Sequence, residues 1–270
     1  MAEGSVAIVY GVDRLERSHG PLFAVIGVFD GIHLGHRYLL GRLVEEARGR
    51  SARPTVITFD SHPDEILVGA APPLLLDPDE RVRLLGEAGV EVIVVQHFDA
   101  ALRVTEYDEF VHRITARTEL AGLLMTPDAA FGHDRRGTPE AVDALGERDG
   151  FALVVVPPFA IDGRSVRSSD VRTAIAAGDL RTAEKLLGRP YSISGRLEGV
   201  EVRPPMPVAL PPAGEYPVVA TEGRGEGESA VGQQRLLVTT LLIDQGDPRL
   251  GSGVGLPAAG EIRIEFAPGA

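Results

Sequence analysis

The sequence predicts an α/β protein with a parallel sheet covered by helices on both faces, followed by a small all-β, barrel-like domain. Three observations carry that prediction. Strand and helix signals alternate over the first two-thirds of the chain. The strands in that stretch read as near-continuous apolar runs, as strands buried on both faces do. Beyond Gly188-Arg189-Pro190 the helical periodicity stops and short alternating runs take over. The first part is therefore Rossmann-like. The expected domains are residues 1–188 and 189–270.

The elements follow in order. Leu22 to Val28 is an apolar run ended by Asp30-Gly31. Residues 34–48 then place Leu39, Leu40, Leu43, Val44 and Ala47 at helical spacing. Thr55 to Phe59 is a β-branched strand, Asp79 to Ala88 a helix, and Val90 to Val95 a strand. Tyr107 to Thr118 reads as a helix, Gly122 to Met125 as a short strand, Ala141 to Arg148 as a helix and Phe151 to Val156 as a strand. Two helices, Ser169 to Ala177 and Leu180 to Leu187, close the series. The remainder begins with a proline-rich stretch from Pro204 to Pro217. Gly223 to Gln234 is polar and Gly-rich and reads as a mobile loop. Tyr216 to Thr221, Arg235 to Ile243 and Glu261 to Phe266 read as strands.

Composition excludes several chemistries. The chain has 270 residues, and 27 basic against 39 acidic side chains give a formal charge of −12. That sign argues against a nucleic-acid partner, because phosphate-backbone binding needs clustered cations. There is no cysteine, so thiolate metal sites, disulfides and cysteine nucleophiles are excluded. Lys185 is the sole lysine and follows Glu184, so no Walker A loop exists. No apolar run approaches the roughly 20 residues of a membrane span. Residues 1–10 carry no signal-peptide pattern, so a cytoplasmic protein is expected.

The segment Gly27-Val28-Phe29-Asp30-Gly31-Ile32-His33-Leu34-Gly35-His36 sits where a strand hands over to a helix. In an open parallel sheet ligands bind at the carboxyl ends of strands. Gly31 and Gly35 allow close backbone approach. The helix start offers unpaired N–H groups and a partial positive charge. His33 and His36, three apart, share one face of the first turn. Such a set suits a polyphosphate, with imidazoles donating to developing negative charge. The same residues also fit two histidines that merely begin a helix, or a zinc site with Asp30 as a further donor. Farther on, Ser168 or Ser169 is expected to cap the next helix, with Arg172 one turn on as a second phosphate ligand.

Strand, then G-x-F-D-G-x-H-x-G-H, then helix resembles the HxGH nucleotidyltransferase superfamily. In its longer form it resembles the FAD synthetase (FMN adenylyltransferase) module of the prokaryotic bifunctional riboflavin kinase/FAD synthetases. Four further segments recur in order. Thr58-Phe59-Asp60-Ser61-His62-Pro63 is similar to the family's T-F-D-P-H-P. Phe131 to Gly137 matches F-G-x-x-R-x-G. Ser168 to Arg172 corresponds to S-S-T-R-I-R. Leu187-Gly188-Arg189-Pro190-Tyr191 matches the junction that enters the kinase domain.

The resemblance implies transfer of AMP from ATP to FMN, giving FAD and pyrophosphate, with Mg2+ bridging the phosphates. By resemblance, His33, His36 and Arg172 are the catalytic residues. Gly27, Phe29, Asp30, Gly31, Gly35, Ser168 and Ser169 bind ATP. Asp60, His62, Pro63, Asp128, Phe131 and Arg135 bind the flavin acceptor. Several positions depart from the pattern. Val28 replaces a usual Asn, Ser61 a Pro, Ala129 an aromatic, Ser169 a Thr and Asp170 an Arg. The kinase half departs further: its P-T-A-N segment has no counterpart, because the chain contains no asparagine. A degenerate or truncated kinase-like barrel is expected, without conversion of riboflavin to FMN. The alternatives are an adenylyltransferase acting on another phosphorylated acceptor, or a non-catalytic flavin- or nucleotide-binding protein.

Overall fold

Apolar runs become central strands where a sheet and two helical layers bury both of their faces. The computed structural model describes residues 6–222, 236–251 and 259–267. Its residues fall into two compact units, Met1–Pro72 with Arg81–Ser165, and Pro73–Glu80 with Val166–Ala270.

The first unit runs β1 (Ala7–Tyr10), β2 (Leu22–Ile26), α1 (Leu34–Gly49), β3 (Arg53–Phe59) and α2 (Asp64–Leu67). The chain passes between units within α3 (Pro78–Glu87). It then continues as β4 (Val92–Gln96), α4 (Ala100–Arg103), α5 (Tyr107–Thr115), β5 (Leu120–Met125), α6 (Pro139–Asp149), β6 (Ala152–Val155) and a two-stranded hairpin, β7 (Ala160–Ile161) and β8 (Arg164–Ser165). The six-stranded sheet has the order β1-β4-β3-β2-β5-β6, with every pairing parallel. The chain builds to one side of β2 through β3 and β4, then returns to its other side through β5 and β6. That reversal opens a crevice at the carboxyl ends of β2 and β5. The core includes Leu22, Ala24, Ile57, Val92, Val94, Ile114 and Leu123. The expected strands and helices are present, with ends moved by a few residues. β1 was not expected: four residues on a sheet edge carry little periodic signal.

The second unit holds α7 (Ser168–Ala176), α8 (Leu180–Leu187), β9 (Ser192–Glu198), β10 (Glu201–Arg203), β11 (Gly214–Glu222), β12 (Leu236–Asp244), β13 (Asp247–Leu250) and β14 (Ala259–Phe266). Its strands close a barrel in the order β10-β13-β12-β11-β14-β9. The expected loop Gly223 to Gln234 lies outside the described residues. The break expected after Gly188 separates α8 from β9 in the sequence, but packing joins them. Val171, Ile175, Ala183 and Leu187 share one apolar core with Ile193, Ile264 and Phe266. Both helices therefore belong with the barrel. Residues 73–80 join the same unit. Leu74 N–H donates to Pro207 O at 2.9 Å, and Ala209 N–H returns to Leu74 O at 2.8 Å. Among the described residues no helix is long and apolar enough to cross a membrane.

Candidate active site

The turn after β2 is anchored from three sides. Gly27 N–H donates to Ile57 O at 3.0 Å. The Thr58 hydroxyl donates to Val28 O at 3.0 Å. Arg81, a buried side chain on α3, donates from Nη1 to Val28 O at 3.3 Å and from Nη2 to Phe59 O at 2.7 Å. The backbone then enters the left-handed region at Phe29 (φ 53°), Gly31 (φ 86°) and Ile32 (φ 39°). Gly31 adopts it freely, whereas a β-branched Ile does so only under constraint. Strain of this kind, roughly 1–3 kcal/mol per residue, persists where the surroundings over-determine it.

The strained turn delivers His33 to the N-cap of α1. Its Nδ1 accepts the His36 N–H at 3.2 Å. An accepting Nδ1 places the proton of the neutral ring on Nε2. The two imidazoles stack, with centroids 3.7 Å apart and planes 15° from parallel. His33 is only 4% exposed. His36 is half-buried, and its covered Nδ1 has no hydrogen-bond partner. Burial pushes the His36 pKa well below the usual imidazole value, and the neighbouring His33 adds to the push. His36 is therefore suited to act as a neutral hydrogen-bond donor rather than as a cation. Phe29 is buried, with its ring 5.0 Å from that of His36 and packed over Gly27, so it supports the site from behind. Asp30 is likewise buried. Among the described residues no three His, Asp or Glu side chains stand together as metal ligands.

Beside this turn a cleft of about 490 Å3 opens along the carboxyl ends of β2, β3, β4 and β5. Gly27, His62, Pro63, Phe131 and Arg135, five of the expected substrate-binding residues, are among its walls. The imidazoles themselves are not. Two expected acceptor residues, Asp60 and Asp128, are not among the walls. Asp128 Oδ1 accepts the Thr126 hydroxyl at 2.8 Å, and its carbonyl accepts from Arg135 Nη2 at 3.1 Å. Asp60 is tied to His97 and to the Phe98 N–H. The wall loop from Gly132 to Arg135 is also left-handed at Gly132, Asp134 and Arg135. A Cβ on Gly132 would lie 2.6 Å from Tyr107 N, so only glycine fits there. His133 and Arg136 both approach Glu106 Oε1, at 3.3 and 3.1 Å.

The α7 residues require corrections. The N-cap is Arg167, not Ser168 or Ser169, which fall inside the first turn. Asp170 Oδ2 accepts the Arg167 N–H at 3.2 Å. The Asp in place of a usual Arg thus serves the helix start. Arg172 Nε donates to Pro73 O at 2.9 Å, a structural tie that sequence reading did not anticipate. Phe59, Phe98, Leu102 and Arg103 wall the cleft and were not foreseen. Arg81 was not foreseen either, because no spacing signal links it to Val28.

The model of a family described as FAD synthetase matches residues 15–170, more than half of the chain. Curated relatives named bifunctional riboflavin kinase/FMN adenylyltransferase are similar to it. One from Pseudomonas fluorescens is 34% identical over 191 residues, covering 70% of this chain and 61% of its own length. One from Haemophilus influenzae is 33% identical over 192 residues, covering 70% and 62%. One from Escherichia coli K12 is 34% identical over 174 residues, covering 64% and 56%. The chain thus spans about three-fifths of the length of the relatives it matches. A solved structure titled as a macrolide-efflux protein from Streptococcus pneumoniae superposes with a TM-score of 0.79 at 20% identity, covering 97% of this chain and 89% of that one. That likeness shows a shared fold.

Proposed function

The chain belongs to the FAD synthetase family, and from that premise we propose that it is an FMN adenylyltransferase. It transfers AMP from ATP to FMN and releases pyrophosphate. The observation that carries the reading is the stacked His33–His36 pair at the turn where the sheet order reverses. The FMN phosphate attacks the α-phosphorus of ATP, forming the new P–O bond as the bond to pyrophosphate breaks. The protein's task is to hold both anions in line and to stabilise charge on phosphoryl oxygens. The imidazole N–H groups supply that stabilisation. Mg2+ would enter with ATP and would offset the charge of its phosphates. The flavin lies in the cleft walled by His62, Pro63, Phe131 and Arg135.

We further propose that the barrel does not phosphorylate riboflavin, because the chain has no asparagine for the P-T-A-N segment. Incubation with FMN and Mg-ATP tests the main reading: FAD forms, seen by its absorbance and quenched fluorescence, with stoichiometric pyrophosphate. Riboflavin with Mg-ATP yields no FMN. A second reading, another phosphorylated acceptor, is favoured by one feature. A cavity of about 90 Å3 lined by Ala129, Ala130, Leu39 and Val25 adjoins the cleft at Ile26 and Phe131. Pyrophosphate released only with a different acceptor, and no FAD, establishes that alternative.

A further inference from the structure

We infer that His97 is a positioning residue for the acceptor cleft, holding its two aromatic walls, Phe59 and Phe98, through the Asp60 carboxylate. The inference rests on the proposed FMN site. Asp60 directly follows β3 and His97 directly follows β4, and the two strands pair in parallel with Phe59 opposite Gln96. One carboxylate spans both strand exits. Its Oδ2 lies 2.5 Å from His97 Nδ1. Its Oδ1 accepts the Ser61 N–H at 2.8 Å and the Phe98 N–H at 3.2 Å. The Asp60 N–H donates to Gln96 O at 3.2 Å. The Phe59 and Phe98 rings meet edge to face at 5.4 Å, and both wall the cleft. His97 is exposed and is not a wall itself. It acts only through Asp60.

Two acids face His97 from the elements beside it: Asp60 at the β3 exit, and Asp99 at the N-cap of α4. The Asp99 carboxylate is committed to Leu102 N–H at 2.7 Å. The hydrogen bond to Asp60, and then its charge, raise the His97 pKa above the usual imidazole value. Burial pushes the Asp60 carboxyl upward, but His97 and the two N–H donors outweigh it and hold Asp60 below its ordinary value. Below the raised His97 value the tether is a charge-assisted bond. As pH rises through the raised His97 value it becomes a neutral hydrogen bond, about half as strong. The aromatic walls then lose part of their restraint.

The test uses the full chain with FMN and Mg-ATP from pH 5.5 to 9.5. Direct FMN binding is followed by fluorescence without nucleotide. In the wild type KM and Kd for FMN rise on the order of three- to tenfold towards alkaline pH, while kcat does not follow them. His97→Gln shows the weak, alkaline value at every pH. His97→Arg, with a permanent charge, restores tight binding and removes the pH dependence. A His97→Gln protein with wild-type KM and profile overturns the inference, and so does a His97→Arg protein that behaves like it. If His97→Gln fails to fold, His97→Arg alone decides: retained pH dependence overturns the role. Wild type that binds no FMN overturns the proposed acceptor and this inference with it. Wild type that binds FMN with unaffected variants overturns only the positioning role.

Discussion

The turn after β2 in the sheet unit and the β12–β13 tip in the barrel unit both place non-glycine residues in the left-handed region, but for different reasons. In the barrel, Gln245 (φ 50°) and Gly246 (φ 90°) form the tip of the β12–β13 hairpin, where tight two-residue turns demand that geometry. In the sheet unit Phe29 and Ile32 are left-handed on the way from a strand to a helix, where no hairpin requires it. There the surroundings impose the strain, through Thr58, Arg81 and the β3 backbone. Left-handed backbone at a hairpin tip reports connectivity. The same backbone at the end of β2 reports a turn that its surroundings hold in place.

That contrast breaks or holds in experiments of decreasing effect. Ending the chain at Gly195 removes most of the barrel and uncovers Val171, Ile175 and Leu187. We expect aggregation on gel filtration, because α7 and α8 lose the layer that covers them; a monodisperse product would show that the helices stand alone. His36→Ala should slow FAD formation by about 10²–10³-fold with the fold intact by circular dichroism. His33→Ala should add to a similar loss a capping cost of about 1 kcal/mol in urea unfolding. Arg249→Ala in the barrel should leave turnover near wild type; an equal loss there would erase the distinction between units.

Glycine substitutions sharpen the comparison at smaller scale. Gly132→Ala combines a positive φ with a 2.6 Å clash against Tyr107, and should cost about 2–4 kcal/mol. Gly246→Ala has a positive φ but open space around its Cβ, and should cost about 1 kcal/mol. Urea midpoints for the two variants check the order.

The smallest effect is on pH. The His36 pKa is depressed in the fold, so its contribution to stability is fully present above about pH 6.5 and is lost as pH falls below that value. His36→Gln, which does not titrate, should flatten the melting-temperature difference between pH 7.5 and pH 5.5. His97 has the opposite sign: its raised pKa gives stability present at acid pH and lost on the alkaline side. An identical acid response in wild type and His36→Gln would show that the imidazole is not desolvated.

Most of the sheet was legible because its signal is local. Leu22 to Ile26 and Val92 to Val95 are apolar regardless of partner, and Leu39, Leu40, Leu43 and Val44 trace a helical stripe in a single window. The Gly27 to His36 turn was legible for the same reason, since its glycines and histidines lie within ten consecutive residues. The Asp60–His97 tether, the Arg81 anchor and the Pro73–Arg172 tie join residues far apart in the chain. No period or spacing announces them.

By itself the sequence determined the fold class, the element that bears the histidines and the order of the motifs, because hydrophobic period and turn chemistry act over a few residues. Only the tertiary structure decided that α7 and α8 belong with the barrel, that Arg167 rather than a serine caps α7, and that the two imidazoles stack with His36 desolvated. Burial and hydrogen-bond partners are properties of what the rest of the chain brings alongside, and desolvation has no meaning until that surrounding is built.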